Sequence, residues 1–148
     1  MLYQRIFVPV DNSSPSDLAL TEAVRLGKSL GATLILAHSV DTTPQSHGRT
    51  ELIDNAGMTQ PLVEAGRDLL QGAQTRARKE GVASEMLLVQ SRGQPVPQAL
   101  LKAARDAAAD VIVMGTHGRT GIMHLLLGSV AEGVLRQADL PILLVRGD

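Results

Sequence analysis

Five short apolar stretches separated by segments of helical periodicity limit the folds open to this chain. The stretches are Ile6-Phe7-Val8-Pro9-Val10, residues 33–39 (Thr-Leu-Ile-Leu-Ala-His-Ser), residues 85–90 (Glu-Met-Leu-Leu-Val-Gln), Val111-Ile112-Val113-Met114 and residues 141–146 (Pro-Ile-Leu-Leu-Val-Arg). Runs that are apolar throughout suit strands buried on both faces, as in a parallel sheet. Between the first two, Leu20, Ala23, Val24, Gly27 and Leu30 recur at spacings of three and four, the mark of an apolar helix face. Leu62, Leu69, Leu70, Ala73 and Ala77 repeat the pattern, as do Val96, Ala99, Leu100, Ala103 and Ala107 after Pro95. A last short helix is expected over 129–137, weakened by Gly133 at roughly 1 kcal/mol relative to Ala. Strands alternating with helices predict a single-domain α/β fold, an open five-stranded parallel sheet with helices on both faces.

Local signals set the expected boundaries. Ser14, Pro15 and Asp17 read as N-cap, first helical residue and acidic first turn of the first helix, and Gly31 as its stop. Arg76, Arg78 and Lys79 precede Gly81, as a helix C-terminus prefers. Residues 41–60 contain Pro44, Gly48 and Gly57 and no periodicity, which predicts a long loop of the kind that is functional or disordered.

Composition excludes several function classes. A chain of 148 residues can bury roughly 70% of its unfolded surface, enough for one core. Tyr3 and Phe7 are the only aromatic residues, so platforms for stacking single-stranded nucleic acid are missing. The net charge of −1 lacks the basic excess of duplex-binding proteins, and no nucleic-acid partner is expected. Without cysteine there is no thiol catalysis and no Cys-type zinc site. His38, His47, His117 and His124 lack metal-ligand spacing. The N-terminus carries no signal-peptide pattern, and no apolar run approaches the ~20 residues of a membrane span. The expectation is a cytoplasmic protein without membrane insertion.

The fourth apolar stretch runs into Gly115-Thr116-His117-Gly118-Arg119 and ends, ten residues after Gly118, at Gly128-Ser129. A strand, a glycine loop and a helix start are suited to holding a phosphate, because backbone comes close and the helix offers free N–H groups. The same loop also reads as an ordinary structural turn. A Walker loop is excluded, since no Lys follows Lys102, and Gly-x-Gly-x-x-Gly is absent. What remains is Gly115-x2-Gly118-x9-Gly128-Ser129. In open α/β sheets the ligand lies beyond the carboxyl ends of the strands where winding reverses.

That pattern resembles the ATP-binding signature of the universal stress protein family, Gly-x2-Gly-x9-Gly-(Ser/Thr). Residues 5–13, 109–118, 126–131 and 141–145 resemble its first strand with acidic end, fourth strand with loop, last helix start and last strand. The resemblance implies a Rossmann-like sheet of the adenine nucleotide alpha-hydrolase type with order 3-2-1-4-5. It implies ATP in the crevice beyond strands one and four, which end at Asp11 and Gly115. Pro9, Val10 and Ser39 would line the adenine side; at Ser39 the family often carries an apolar residue such as Val. Asp11 would accept from the ribose hydroxyls or the adenine amino group, and otherwise reads as a turn residue. Met114, Gly115 and Gly118 would carry the loop around ribose and phosphates, and Gly128, Ser129 and Val130 would offer N–H groups, Ser129 also reading as a plain N-cap. His117 and Arg119 read either as phosphate contacts or as solvated loop residues.

Any Mg²⁺ or Mn²⁺ would arrive with the triphosphate. No nucleophile beside a base is visible, so no catalytic residue is assigned. The resemblance implies a stress-response or signalling switch with an unidentified protein partner; a nucleotide-independent dimeric interaction module and a slow ATPase stand as alternatives. Strand 141–146, an edge in the order 3-2-1-4-5, is expected to pair with its own copy in a homodimer.

Overall fold

The computed structural model describes residues 3–41, 55–117 and 127–146, with residues 55–59 described through the backbone alone. The chain alternates β1 (Arg5–Pro9), α1 (Ser14–Leu30), β2 (Thr33–Val40), α2 (Asn55–Lys79), β3 (Ser84–Gln90), α3 (Val96–Asp106), β4 (Val111–Gly115), α4 (Ser129–Gln137) and β5 (Ile142–Val145). All strand pairs are parallel, in the order β3-β2-β1-β4-β5. The expected sheet order is therefore observed, and β1 and β4 lie side by side.

The absence of alternation in the apolar stretches has its reason in two layers. Ile6, Val8, Leu34, Leu36, Val111 and Val113 face α1 and α2. Phe7, Ile35, Ala37, Ile112 and Met114 face α3 and α4. Each central strand thus buries both of its faces. With almost no aromatic residues to fill space, aliphatic side chains carry both cores.

β1 ends at Pro9, two residues short of Asp11, and β5 spans only Ile142–Val145 of the expected 141–146. Three helix boundaries also differ from expectation, each for a local reason. The N-cap of α1 is Ser13, not Ser14. The Ser13 hydroxyl accepts from the Ser16 N–H at 3.2 Å, which makes Ser14 the first helical residue and Pro15 the second. The N-cap of α4 is Gly128, not Ser129. Residues 55–60 belong to α2 and not to the 41–60 loop. Pro61 lies inside α2, where a proline costs an internal hydrogen bond, yet the helix continues through it. The rest of that expected loop, residues 42–54, lies outside the described residues. Gly31 caps α1 as expected, at φ 67, a conformation glycine adopts without a Cβ penalty.

The amino-terminal end of the sheet is tied by polar contacts. Arg5 on β1 reaches past β2 to Glu85 on β3, its two terminal nitrogens each 3.0 Å from a carboxylate oxygen. Its Nε donates to the Ala107 carbonyl at 2.8 Å. The Asp110 carboxylate accepts from the backbone N–H groups of Gln4 and Arg5. The Glu85 hydrogen bond, followed by its Coulombic attraction, raises the Arg5 pKa; the same hydrogen bond lowers that of Glu85.

Candidate functional site

The carboxyl ends of β1 and β4 define the crevice. Beyond β1 the chain turns through a set of short hydrogen bonds. The Asp11 N–H donates to the Ser16 hydroxyl at 2.8 Å, and the Asp11 carboxylate accepts from the Ser13 N–H at 2.8 Å. This is the Asx turn that an Asp-x-Ser sequence favours. It spends one carboxylate oxygen on the turn. Asp11 also borders a cavity of about 540 Å³ between α1 and α2, whose wall includes Ser14, Asp17, Asp68 and Arg76.

Val10 is 5% exposed and packs toward α1 and α2. Its N–H donates to the Ala37 carbonyl and its carbonyl accepts from His38 Nδ1, both at 2.8 Å. The carbonyl can only accept, so the proton of the pair sits on Nδ1. The end of β1 is thereby pinned to β2 twice. Pro9 is half-buried, and by strand alternation it faces the α3–α4 side with Phe7. Ser39 follows Ala37 on that same side of β2 and pairs in register with Val89. β1 ends opposite Ala37, so Ser39 extends past it.

On the β4 side, Met114 is buried against α3 and α4, and Gly115 closes the strand. A Cβ on Gly115 would lie 2.8 Å from both the carbonyl carbon and oxygen of Pro15. The first turn of α1 sits directly on the end of β4, and only glycine leaves room for it. Thr116 is buried. Its N–H donates to the Val145 carbonyl at 3.1 Å, and its own carbonyl accepts from the Gly128 N–H at 2.6 Å. The chain therefore leaves β4 and returns to α4 through one hydrogen-bonded neck. Thr116 Oγ1 and His117 Nδ1 lie 3.1 Å apart. Beyond the neck, Gly128 begins α4 with no side-chain cap. Ser129 is exposed, and Val130 is half-buried against the α3–α4 core.

The structure thus brings Pro9, Asp11, Ser39, Met114, Gly115, His117, Gly128, Ser129 and Val130 to the carboxyl end of the sheet. Val10 joins them while directing its side chain into the α1–α2 core. Gly118 and Arg119 lie outside the described residues. Sequence reading missed Thr116, Ser13 and Ser16. Thr116 is legible only in hindsight, as a residue between two glycines whose backbone must hold both ends of the loop. Among the described residues no His, Asp or Glu cluster could hold a metal ion, and no helix is long and apolar enough to cross a membrane.

Residues 2–146 match the model of the universal stress protein family. The chain belongs to that family. A universal stress protein of Methanocaldococcus jannaschii is 35% identical over 151 residues, covering 98% of this chain and 83% of the relative. The universal stress protein from Archaeoglobus fulgidus in complex with dAMP superposes with a TM-score of 0.70 at 29% identity, covering 98% of this chain and 99% of that one. A universal stress protein in complex with cAMP gives 0.70 at 26% identity, covering 99% and 98%. These two family members carry adenine nucleotides.

Proposed function

We propose that this universal stress protein binds ATP, or a close adenine nucleotide, in the crevice beyond β1 and β4 and serves as a stress-response or signalling switch in the cytoplasm. The observation that carries the reading is the start of α4. Gly128 spends its N–H on Thr116, and no side chain caps the helix. The N–H groups that open a helix need partners and favour an anion, through their hydrogen bonds and the helix dipole together. A phosphate supplies both. Asp11, across the crevice, keeps a carboxylate oxygen beyond the one used in its turn and suits a ribose or amino donor. The dAMP and cAMP complexes of its relatives support an adenine ligand of the same kind.

Pro9, Val10, Asp11, Ser39, Met114, Gly115, His117, Gly118, Arg119, Gly128, Ser129 and Val130 form the proposed binding set. Any Mg²⁺ or Mn²⁺ enters with the triphosphate. In the switch reading, nucleotide binding biases two states that a protein partner distinguishes. The same reading includes a homodimer through β5. Among the described residues this edge strand leaves Leu143 42% exposed and its outer N–H and C=O groups without a neighbouring strand, and a second copy answers both needs.

Titration calorimetry with ATP, ADP and AMP, with and without Mg²⁺, tests the ligand. Heat and thermal stabilisation are expected; neither appearing at millimolar ATP would end the proposal.

A further inference from the structure

β3 is the outer strand of the sheet opposite β5, and among the described residues no strand lies beyond it. The ladder fixes which of its backbone groups face outward. Ala83 and Ser91, at either end of the strand, bond inward to Leu34 and Val40 of β2. Alternation along the parallel register from Leu34↔Ser84 to Val40↔Gln90 then turns the N–H and C=O groups of Met86 and Leu88 outward. Proteins commonly blunt such an edge with lysine, proline or a bulge. β3 carries none of these: its register is unbroken, Met86 is 43% exposed, and its one charge, Glu85, is already bound by Arg5. Beside this edge a groove of about 630 Å³ opens between β3 and α3. Leu87 and Val89 wall it on the strand side, Ala99 and Ala103 on the helix side, and the small alanine side chains leave it open. At its rim Lys102 pairs with Asp106 at 2.9 Å. Arg92, exposed at φ 52 past the end of β3, is the groove's uncompensated charge among the described residues.

We propose that the outer edge of β3 docks an extended segment of a partner protein, which joins the sheet as a further strand. The segment's backbone completes the ladder at Met86 and Leu88. Every second side chain, apolar, enters the groove, and a carboxylate lies at the end that meets Arg92. In strand addition of this kind main-chain hydrogen bonds give affinity, and pockets for alternate side chains give selectivity. Charge decides against β3 of a second copy as the occupant. Its only carboxylate is that of Glu85, which Arg5 of the same chain holds with both terminal nitrogens. The surface includes none of the proposed nucleotide-binding residues and stands whether or not a nucleotide binds.

The probe is the peptide acetyl-Thr-Val-Thr-Val-Thr-Val-Glu-amide, with a second peptide ending in Gln. Followed by NMR, the Glu-ended peptide should slow the exchange of the Met86 and Leu88 amides and shift resonances on β3 and α3. Met86→Pro removes one outward N–H and no inward one, so it should keep the parent's melting temperature. It should bind the peptide about tenfold more weakly, the worth of one ladder hydrogen bond. Ala103→Leu fills the groove from the helix side and should weaken binding likewise; it decides the matter if Met86→Pro fails to fold. The Gln-ended peptide should bind the parent about threefold more weakly, the worth of one exposed charge pair. Arg92→Asn, which tolerates a positive φ, should bind both peptides equally. No binding of the Glu-ended peptide at millimolar concentration, or unchanged affinity in Ala103→Leu or folded Met86→Pro, overturns the proposal. So does a fall in mass by light scattering on either substitution, which would make a second copy the occupant.

Discussion

Replacing Gly115 by alanine inserts one methyl group where the end of β4 meets the first turn of α1. The Cβ would stand 2.8 Å from Pro15 C and O and 2.9 Å from Pro15 Cβ. Carbon contacts settle near 3.5–4.0 Å, so all three approaches are short by more than half an ångström. Two of the atoms are backbone and cannot rotate away. Relief requires α1 to back off from the sheet, and α1 is tied to the Asp11 turn through Ser13 and Ser16. Overpacking of this kind costs about 1–3 kcal/mol, and the rigid backbone partners place Gly115→Ala toward the top of that range. For a domain of this size each kcal/mol is worth ~2–4 °C of melting temperature, which gives a fall of roughly 4–12 °C. Thermal unfolding followed by circular dichroism measures it, and urea unfolding should show the midpoint lowered and the slope unchanged. Gly72→Ala is the control. Gly72 lies within α2 with nothing within 4 Å of an added Cβ, so that change should stabilise the protein, by up to ~1 kcal/mol. A Gly115→Ala midpoint equal to that of the parent would refute the argument that close approach fixes this glycine.

Three further outcomes are expected. Asp11→Asn keeps an amide oxygen for the Ser13 N–H and loses the charge, so stability should hold while nucleotide affinity falls by about 1–3 kcal/mol in calorimetry; full retention of affinity would return Asp11 to its turn. Leu144→Pro removes a ladder donor from β5 and should convert the proposed dimer to monomer in light scattering; a parent that is monomeric at tens of micromolar would defeat the dimer. The third concerns acid. Glu85 is lowered by Arg5, so its contribution is present above the ordinary glutamate range and fades as pH falls through its lowered value. Glu85→Gln should therefore flatten the acid side of the stability profile slightly, because the pair is exposed and exposed pairs are weak.

Strand positions were legible because apolar runs without alternation have few other homes, whereas the sheet order was supplied by the resemblance to the universal stress protein family and not by the runs themselves. Ser13 and Ser14 were not distinguishable as caps, since both precede an apolar helix pattern and only backbone geometry selects between them. At α4 the cap falls on Gly128, a residue with no side chain to signal it. The start of α2 was hidden because residues 55–60 lack apolar periodicity and include Gly57, and yet they belong to the helix that runs on through Pro61. That the buried Ser39 hydroxyl has no hydrogen-bond partner among the described residues could not be read at all. A serine at the end of a strand is commonplace, and nothing in its neighbours along the chain signals whether its hydroxyl finds a partner.

The Arg5, Glu85 and Asp110 contacts and the crevice occupy opposite ends of the same strands. From Arg5 to Pro9 the chain climbs four steps of about 3.3 Å, roughly 13 Å. Substitutions that far apart, without shared partners, combine independently. The lower end can therefore hold the sheet together whatever residues the upper end carries. A protein built this way has room to drift in what it recognises. Changes of ligand at the top need no matching repair at the bottom, and one scaffold can diversify its binding face while its folding remains the same.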